Sequence, residues 1–336
     1  MTATADASAL AGDATAGLWS DPPVLPTKWL YDERGSKLFD EITRLPEYYP
    51  TRREATILAD HAADIAADSG AQSIIEFGSG TSTKTRLLLE AFGARTAGAS
   101  SVGTVPEPPT AGGSASAALT YVPLDVSREI LESAARTLLA DYTGLAVAPT
   151  IADFTDADLR LPDSPGPRLV VFLGGTIGNF TESQRIAFLA TLAGAMSSGD
   201  CLLLGADLIK DIGRVVAAYN DKQGVTADFN KNMIEVLRNG LAATGLYADD
   251  FDHVARWNPR DHRIEMWLRA RREVTAYFAA IDRDWHLAAG TEVLTEISTK
   301  FDQQSIASEL ATAGFAPVTS WTDPLGDFLL TLVRRT

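Results

Sequence analysis

The chain has 336 residues, 46% hydrophobic and 22% charged, a composition that excludes whole-chain disorder and fits one large α/β domain or two smaller ones. With 29 Lys and Arg against 44 Asp and Glu the formal net charge is -15, so a nucleic-acid backbone would be bound against the overall field and is not expected as a partner. The single cysteine, Cys201, excludes an internal disulfide, and the four histidines lack zinc-ligand spacing, so no metal is expected.

Residues 1 to 24 carry few large apolar side chains and are expected to be mobile. They have neither the basic start nor the apolar core of a secretory signal, and no apolar run approaches membrane-spanning length, so the expectation is a cytoplasmic protein with no membrane partner. Residues 35 to 42 read as a helix with Leu38, Phe39 and Ile42 on one face, broken by Leu45-Pro46-Glu47-Tyr48-Tyr49-Pro50. Thr51 and Glu54 have the spacing of a capping box, which predicts that the next helix starts at once and fixes Tyr49 just ahead of it.

The stretch Ser73-Ile74-Ile75-Glu76-Phe77-Gly78-Ser79-Gly80-Thr81-Ser82-Thr83-Lys84 is an apolar strand, an acid, a glycine turn and a helix start. Gly78 and Gly80 permit a tight turn and close backbone approach to a ligand, and Thr81 or Ser82 can cap the helix through Leu87, Leu88 and Leu89. This reads as a nucleotide-type cofactor site. The dinucleotide fingerprint needs a third glycine where Thr83 stands, and Glu76 suits a cationic or hydroxyl-bearing ligand better than a phosphate. Residues 93 to 118, mostly Gly, Ala, Ser, Thr and Pro, read as a flexible insertion.

A second strand ends at Asp125, where doubly wound folds place an acid on ribose hydroxyls. A helix through Leu131, Ala134 and Leu138 follows, then a strand ending near Asp153-Phe154, an acid and an aromatic suited to adenine. Residues 168 to 173 form a near-continuous apolar run, as a buried parallel strand requires. The loop Gly174-Gly175-Thr176-Ile177-Gly178-Asn179 comes next, and Thr181 with Gln184 caps the following helix. A strand from Cys201 closes this half. Residues 210 to 300 change character, with amphipathic helices around Val215 and Tyr219 and around Met233 and Leu237. A strand at 263 to 269 follows, whose alternation predicts half burial. The chain ends in helix, strand and reversed strand.

Glu76 to Thr81, Asp125, Asp153-Phe154 and the 174 to 179 loop resemble S-adenosylmethionine methyltransferases. The more specific segments Lys28-Trp29-Leu30-Tyr31-Asp32, Leu45 to Arg52, Phe172 to Asn179 and Leu294-Thr295-Glu296-Ile297-Ser298-Thr299-Lys300-Phe301 resemble the L-histidine Nα-methyltransferases of ergothioneine biosynthesis, from about residue 25 onwards. The resemblance implies a class I methyltransferase fold, a mostly parallel Rossmann-like α/β sheet with its last strand reversed, and a smaller α+β substrate domain. The cofactor domain would be 54 to 209 with 301 to 336, and the substrate domain 25 to 53 with 210 to 300.

The resemblance further implies an S-adenosylmethionine site of Tyr49, Gly78, Gly80, Lys84, Asp125, Asp153, Phe154 and Gly174. It implies a histidine site in which Asn179 and Tyr219 hold the α-amino and carboxylate groups, Glu296 and Ser298 the imidazole, and Met266 the pocket wall. Tyr49, Asn179 and Gly174 would lie nearest the reacting amine, with the aromatic faces of Tyr31 and Phe39 suited to a cationic product. The partners implied are L-histidine and its mono- and dimethyl forms, and a monomer is expected. Tryptophan on the same scaffold and a noncatalytic cofactor-binding module are the competing readings; Glu296 favours histidine, because an indole offers only a donor.

Overall fold

The computed structural model describes residues 3–80, 84–96, 119–125, 128–154 and 158–336. The expected cap at Thr81 or Ser82, and the insertion beyond Thr96, lie outside the described residues.

Helix α1 (Ala3–Gly17) corrects the expectation of a mobile start. Leu10, Ala14 and Leu18 are buried in one apolar cluster with Leu237, Leu241 and Phe251, and Leu10 packs on Gly240. The segment is rich in alanine, the best helix former, and three apolar residues spaced four apart make a stripe that composition alone understates. Helix α2 (Glu33–Ile42) is capped by Asp32, which accepts from Gly35 N. Helix α3 (Pro50–Ser69) starts with Pro50 in its first turn and Tyr49 at the N-cap, with no side-chain cap. The expected Thr51–Glu54 capping box is therefore absent: Glu54 lies on the inward face with Ile57 and Leu58 and is fully buried.

Strands β1 (Ser73–Phe77), β2 (Leu119–Asp125), β3 (Leu145–Val147), β4 (Thr150–Ile151), β5 (Arg168–Phe172) and β6 (Cys201–Asp207) form the parallel part of the main sheet. Between them run α4 (Thr85–Ala91), α5 (Arg128–Asp141) and α6 (Glu182–Ala195), the last with the expected Thr181–Gln184 capping box. After α7 (Ile212–Ala218) and α8 (Val225–Gly240), strands β7 (Phe251–Asn258), β8 (Arg263–Ala270) and β9 (Glu292–Thr299) form an antiparallel sheet. Helix α9 (Gln303–Thr312) then leads to the terminal hairpin β10 (Phe315–Thr322) and β11 (Phe328–Arg335).

The main sheet has the order β10-β11-β6-β5-β1-β2-β3, with β4 also paired to β2, and β11 is antiparallel to both its neighbours. This is the mostly parallel sheet with a reversed last strand that the sequence implies. Alternate residues of β1 divide between two apolar layers, Ile75 and Phe77 facing one and Ile74 the other. A third cluster gathers residues from 10 to 49 and from 215 to 293. Strand β8 departs from the expected half burial: as the centre of its sheet it is covered on both faces, and its Glu265 accepts hydrogen bonds from Asn258, Arg263 and Trp267. Polar letters within that strand mimic an exposed face.

Candidate active site

Four strand ends share one edge of the main sheet: Gly78 follows β1, Asp125 ends β2, Gly174 follows β5 and Asp207 ends β6. That is the crevice where open α/β sheets bind ligands. Gly78 and Gly80 have φ of 62° and 49°, the left-handed region that favours glycine. Asp125 Oδ2 accepts from Gly80 N at 3.3 Å, which holds the turn against the second strand. Phe154 lies over Gly78, where an added Cβ would stand 3.8 Å from its ring, and packs edge-on to Phe172. Asp153 is 3.6 Å from Lys28, which also meets Asp13 of α1. The Ser79 hydroxyl is buried in the turn with no hydrogen-bond partner among the described residues.

Glu76 has partners within the fold. Its buried carboxylate accepts from Thr85 Oγ1 and Tyr121 OH, both at 2.5 Å, so it fastens β1 to α4 and β2. Burial pushes its pKa up to about 7 against those two hydrogen bonds.

Glu54 links the glycine turn to the next strand end. It pairs with Lys84 and accepts from Gly174 N at 2.8 Å, and Lys84 Nζ lies 3.8 Å from the position a Cβ on Gly174 would take. Lys84 and Gly174 are thus brought together by a residue that sequence reasoning assigned to a cap.

A second group of side chains surrounds a small cavity between α2, α7, α8, β8 and β9. Phe39, Tyr48, Tyr219, Phe229, Met266 and Glu296 line it. Tyr31 abuts Phe39 and Phe229 edge-on, with centroids 5.3 and 5.4 Å away, and completes an aromatic shell. Glu296 is buried, and among the described residues no group donates a hydrogen bond to its carboxylate. Burial pushes its pKa up to about 7, with only the charge of Lys300 opposing. Tyr49 is not part of this lining. Its hydroxyl donates to Asp207 Oδ2 at 2.8 Å and accepts from Lys210 at 3.1 Å, and burial with the nearby carboxylate keeps it protonated. Tyr48, one residue earlier, occupies the cavity place expected of Tyr49.

Behind the cavity, Asp207 gathers charge. Besides Tyr49 it pairs with Lys210 and with Lys300, the latter at 2.9 Å. Lys300 donates to Tyr219 OH at 3.0 Å and to Ser298 Oγ at 2.8 Å, and Tyr219 OH donates to Ser298 Oγ at 3.0 Å. The 174 to 179 loop lies on β9 beside them: a Cβ on Gly178 would meet Thr299 O at 2.7 Å and Ser298 Oγ at 3.4 Å, which seats Asn179 next to the same strand. Glycine is required at 178 by this close approach to backbone that cannot give way. Gly178→Ala is expected to push the loop from β9 and lower turnover at least about tenfold, with a stability loss of about 1–3 kcal/mol. Steady-state kinetics with thermal melts would check this, and full turnover in a folded variant would refute the loop's role.

The sequence model of histidine-specific, S-adenosylmethionine-dependent methyltransferases matches residues 10–335. The chain belongs to that family. It is 46% identical over 335 residues to a histidine N-alpha-methyltransferase of Mycolicibacterium smegmatis, covering 100% of this chain and 98% of the relative. With a histidine N-alpha-methyltransferase of Mycobacterium tuberculosis it shares 44% identity, covering 97% and 95%. An ergothioneine biosynthesis protein 1 of Neurospora crassa is 31% identical over 90% of this chain, which spans 32% of that longer protein.

As a family member the protein uses S-adenosylmethionine, and the residues at the strand ends fit it. The glycine turn with Ser79, the acid Asp125 and the ring of Phe154 beside it are of the chemistry a nucleoside requires, and Lys84, paired with Glu54, is a cation of the kind a ligand carboxylate would need. Among the described residues no cluster of His, Cys, Asp and Glu could hold a metal ion, and no helix is long and apolar enough to cross a membrane. Glu54, Tyr48, Asp207 and Lys300 escaped sequence reasoning. For Lys300 a signal existed: Glu296, Ser298 and Lys300 alternate along the chain, as residues sharing one strand face do.

Proposed function

We propose that this protein transfers methyl groups from S-adenosylmethionine to the α-amino nitrogen of L-histidine, three times in succession. The products would be hercynine and S-adenosylhomocysteine, as an early step of ergothioneine biosynthesis. The observation that carries the reading is Glu296, a buried carboxylate with no hydrogen-bond donor among the described residues, at an aromatic-lined cavity beside Ser298. Such a group is costly to keep unless a ligand donates to it, and an imidazole N–H does.

When bound, S-adenosylmethionine supplies an electrophilic methyl group on a sulfonium, with a thioether as leaving group. The protein then has to align a neutral amine and exclude water. Each transfer would join the amine lone pair to that methyl as its bond to sulfur breaks, and the proton of each resulting ammonium would pass to solvent before the next transfer. The last transfer leaves a fixed cation with no proton to lose. Asn179 orients the amine, Tyr219 lines the cavity with its hydroxyl turned to Ser298 Oγ, and the faces of Tyr31, Phe39 and Tyr48 suit both the sulfonium and the betaine. The Tyr49 hydroxyl is held by Asp207 and Lys210. Tyr49 and Asp207 stay within one hydrogen-bonded chain that reaches Ser298 through Lys300. Residues 25 to 53 and 210 to 300 would receive histidine, with α1 part of the same packing unit, and the enzyme would act as a cytoplasmic monomer.

The test is to incubate the purified protein with S-adenosylmethionine and all twenty amino acids and read the products by mass spectrometry. Trimethylated histidine is expected. Methylated tryptophan without methylated histidine would transfer the reading to an indole acceptor, and cofactor binding with no product at all would remove it.

A further inference from the structure

Lys300 stands behind the cavity wall. It is 2% exposed, and its ammonium has three acceptors within hydrogen-bond distance: Asp207 Oδ2 at 2.9 Å, Tyr219 OH at 3.0 Å and Ser298 Oγ at 2.8 Å. Two of its protons go to the hydroxyls of Tyr219 and Ser298, and its charge is paired with Asp207. The proton of Tyr219 goes to Ser298 Oγ at 3.0 Å. Ser298 therefore accepts twice, which uses both lone pairs of a hydroxyl, and its only remaining hydrogen-bonding capacity is its own proton. Two residues earlier on the same face of β9, Glu296 offers the opposite capacity, an acceptor with no donor among the described residues.

We propose that Lys300 is a positioning residue that fixes the polarity of ring recognition. By filling Ser298 as an acceptor, directly and through Tyr219, it leaves a hydroxyl donor beside a carboxylate acceptor. That pair matches a ring with one N–H and one bare nitrogen, the neutral imidazole. A protonated imidazole presents two donors, one of which meets the Ser298 proton, and an indole or pyrrole presents no acceptor at all. Asp207 holds the Lys300 charge in place and shares it with Tyr49 and Lys210, so the polarity at Ser298 is anchored to the end of β6. The inference rests on histidine being the acceptor.

The experiment measures dissociation constants by calorimetry at pH 8 for the wild-type protein, Lys300→Met and the double variant Lys300→Met/Asp207→Asn. Asp207 keeps Lys210 as counter-charge in Lys300→Met, and the double variant, in which Lys210 retains the Tyr49 hydroxyl and Leu208 O as partners, is a second protein for the test if the single change prevents folding. The ligands are L-histidine, S-adenosylhomocysteine and a pyrrolylalanine whose ring has the N–H but no bare nitrogen. Loss of Lys300 is expected to weaken histidine about tenfold, the scale of a hydrogen bond to a charged group, and to leave S-adenosylhomocysteine within about twofold. The preference for histidine over the pyrrole analogue should shrink severalfold, because Ser298 is then free to turn its proton toward Tyr219. A parallel loss for histidine and S-adenosylhomocysteine would make Lys300 merely structural, and an undiminished preference over the pyrrole would overturn the proposal. Wild-type protein that binds S-adenosylhomocysteine but not histidine removes the histidine reading and this inference together; wild-type binding of histidine with unaltered variants removes the inference alone.

Discussion

Glu296→Gln is expected to lower kcat/KM for histidine by about 5- to 15-fold, the scale of exchanging a charge-assisted hydrogen bond for a neutral one. Glu296→Leu should lower it further, since no acceptor remains for the ring N–H. Neither change touches the glycine turn, so S-adenosylhomocysteine should bind both variants within about twofold of wild type. The pH dependence has a definite sign. Burial raises the folded pKa of Glu296 to about 7 from an ordinary 4.5, so the folded protein holds an extra proton between those values. Free-protein stability is then highest with respect to this group below pH 4.5 and falls as pH rises to 7, by on the order of 3 kcal/mol. Glu296→Gln should therefore melt a few degrees above wild type at pH 8 and show no such gain at pH 4.5. Binding takes the carboxylate form, so wild-type kcat/KM should fall below about pH 7. Kinetics, calorimetry and melts at both pH values check these outcomes; equal losses for histidine and S-adenosylhomocysteine would refute the role of Glu296.

The parallel half of the fold was legible because its strands are continuous apolar runs ending in turns with distinctive residues, Gly78, Asp125 and Gly174. The Thr181–Gln184 capping box was readable for the same reason: its determinants lie within four residues. What stayed hidden depends on residues distant in sequence. Glu54 carries the spacing of a helix cap, and only the arrival of Lys84 and Gly174 from two other elements shows that it faces inward. Asp207 and Lys300 meet because β9 delivers Phe301 N to Asp207 O, a backbone contact across 94 positions that no local pattern encodes. The choice between Tyr48 and Tyr49 turns on the first residues of α3, where a shift of one position swings a side chain by about 100° around the axis. The sequence supports either tyrosine; the hydrogen bond to Asp207 commits Tyr49 elsewhere. The N-terminal helix was missed because alanine counts weakly as apolar yet strongly as a helix former.

Glu54→Ala is expected to weaken S-adenosylhomocysteine binding at least about 30-fold and to destabilise the protein by about 3–5 kcal/mol, the range for removing one partner of a buried ion pair. The carboxylate has no exposed surface, and its two oxygens serve different ends, one fixing the Gly174 amide and the other the Lys84 ammonium. Glu54→Gln separates them. Its amide oxygen can still accept from Gly174 N, which preserves the turn after β5, but Lys84 loses its counter-charge and its fixed position. The glutamine variant should thus recover much of the stability while remaining at least about fivefold weaker in cofactor binding, because an ammonium that must be oriented anew loses part of its contribution. Histidine discrimination should be unchanged in both, since Glu296 and Ser298 on β9, and Lys300 just after it, make no contact with Glu54 through the hydrogen bonds described. Calorimetry with S-adenosylhomocysteine and thermal melts on the two variants distinguish these cases. Wild-type affinity in Glu54→Gln would mean that Lys84 is placed by something other than the carboxylate, and the link from the glycine turn through Glu54 to Gly174 would then be a packing feature rather than part of the cofactor site.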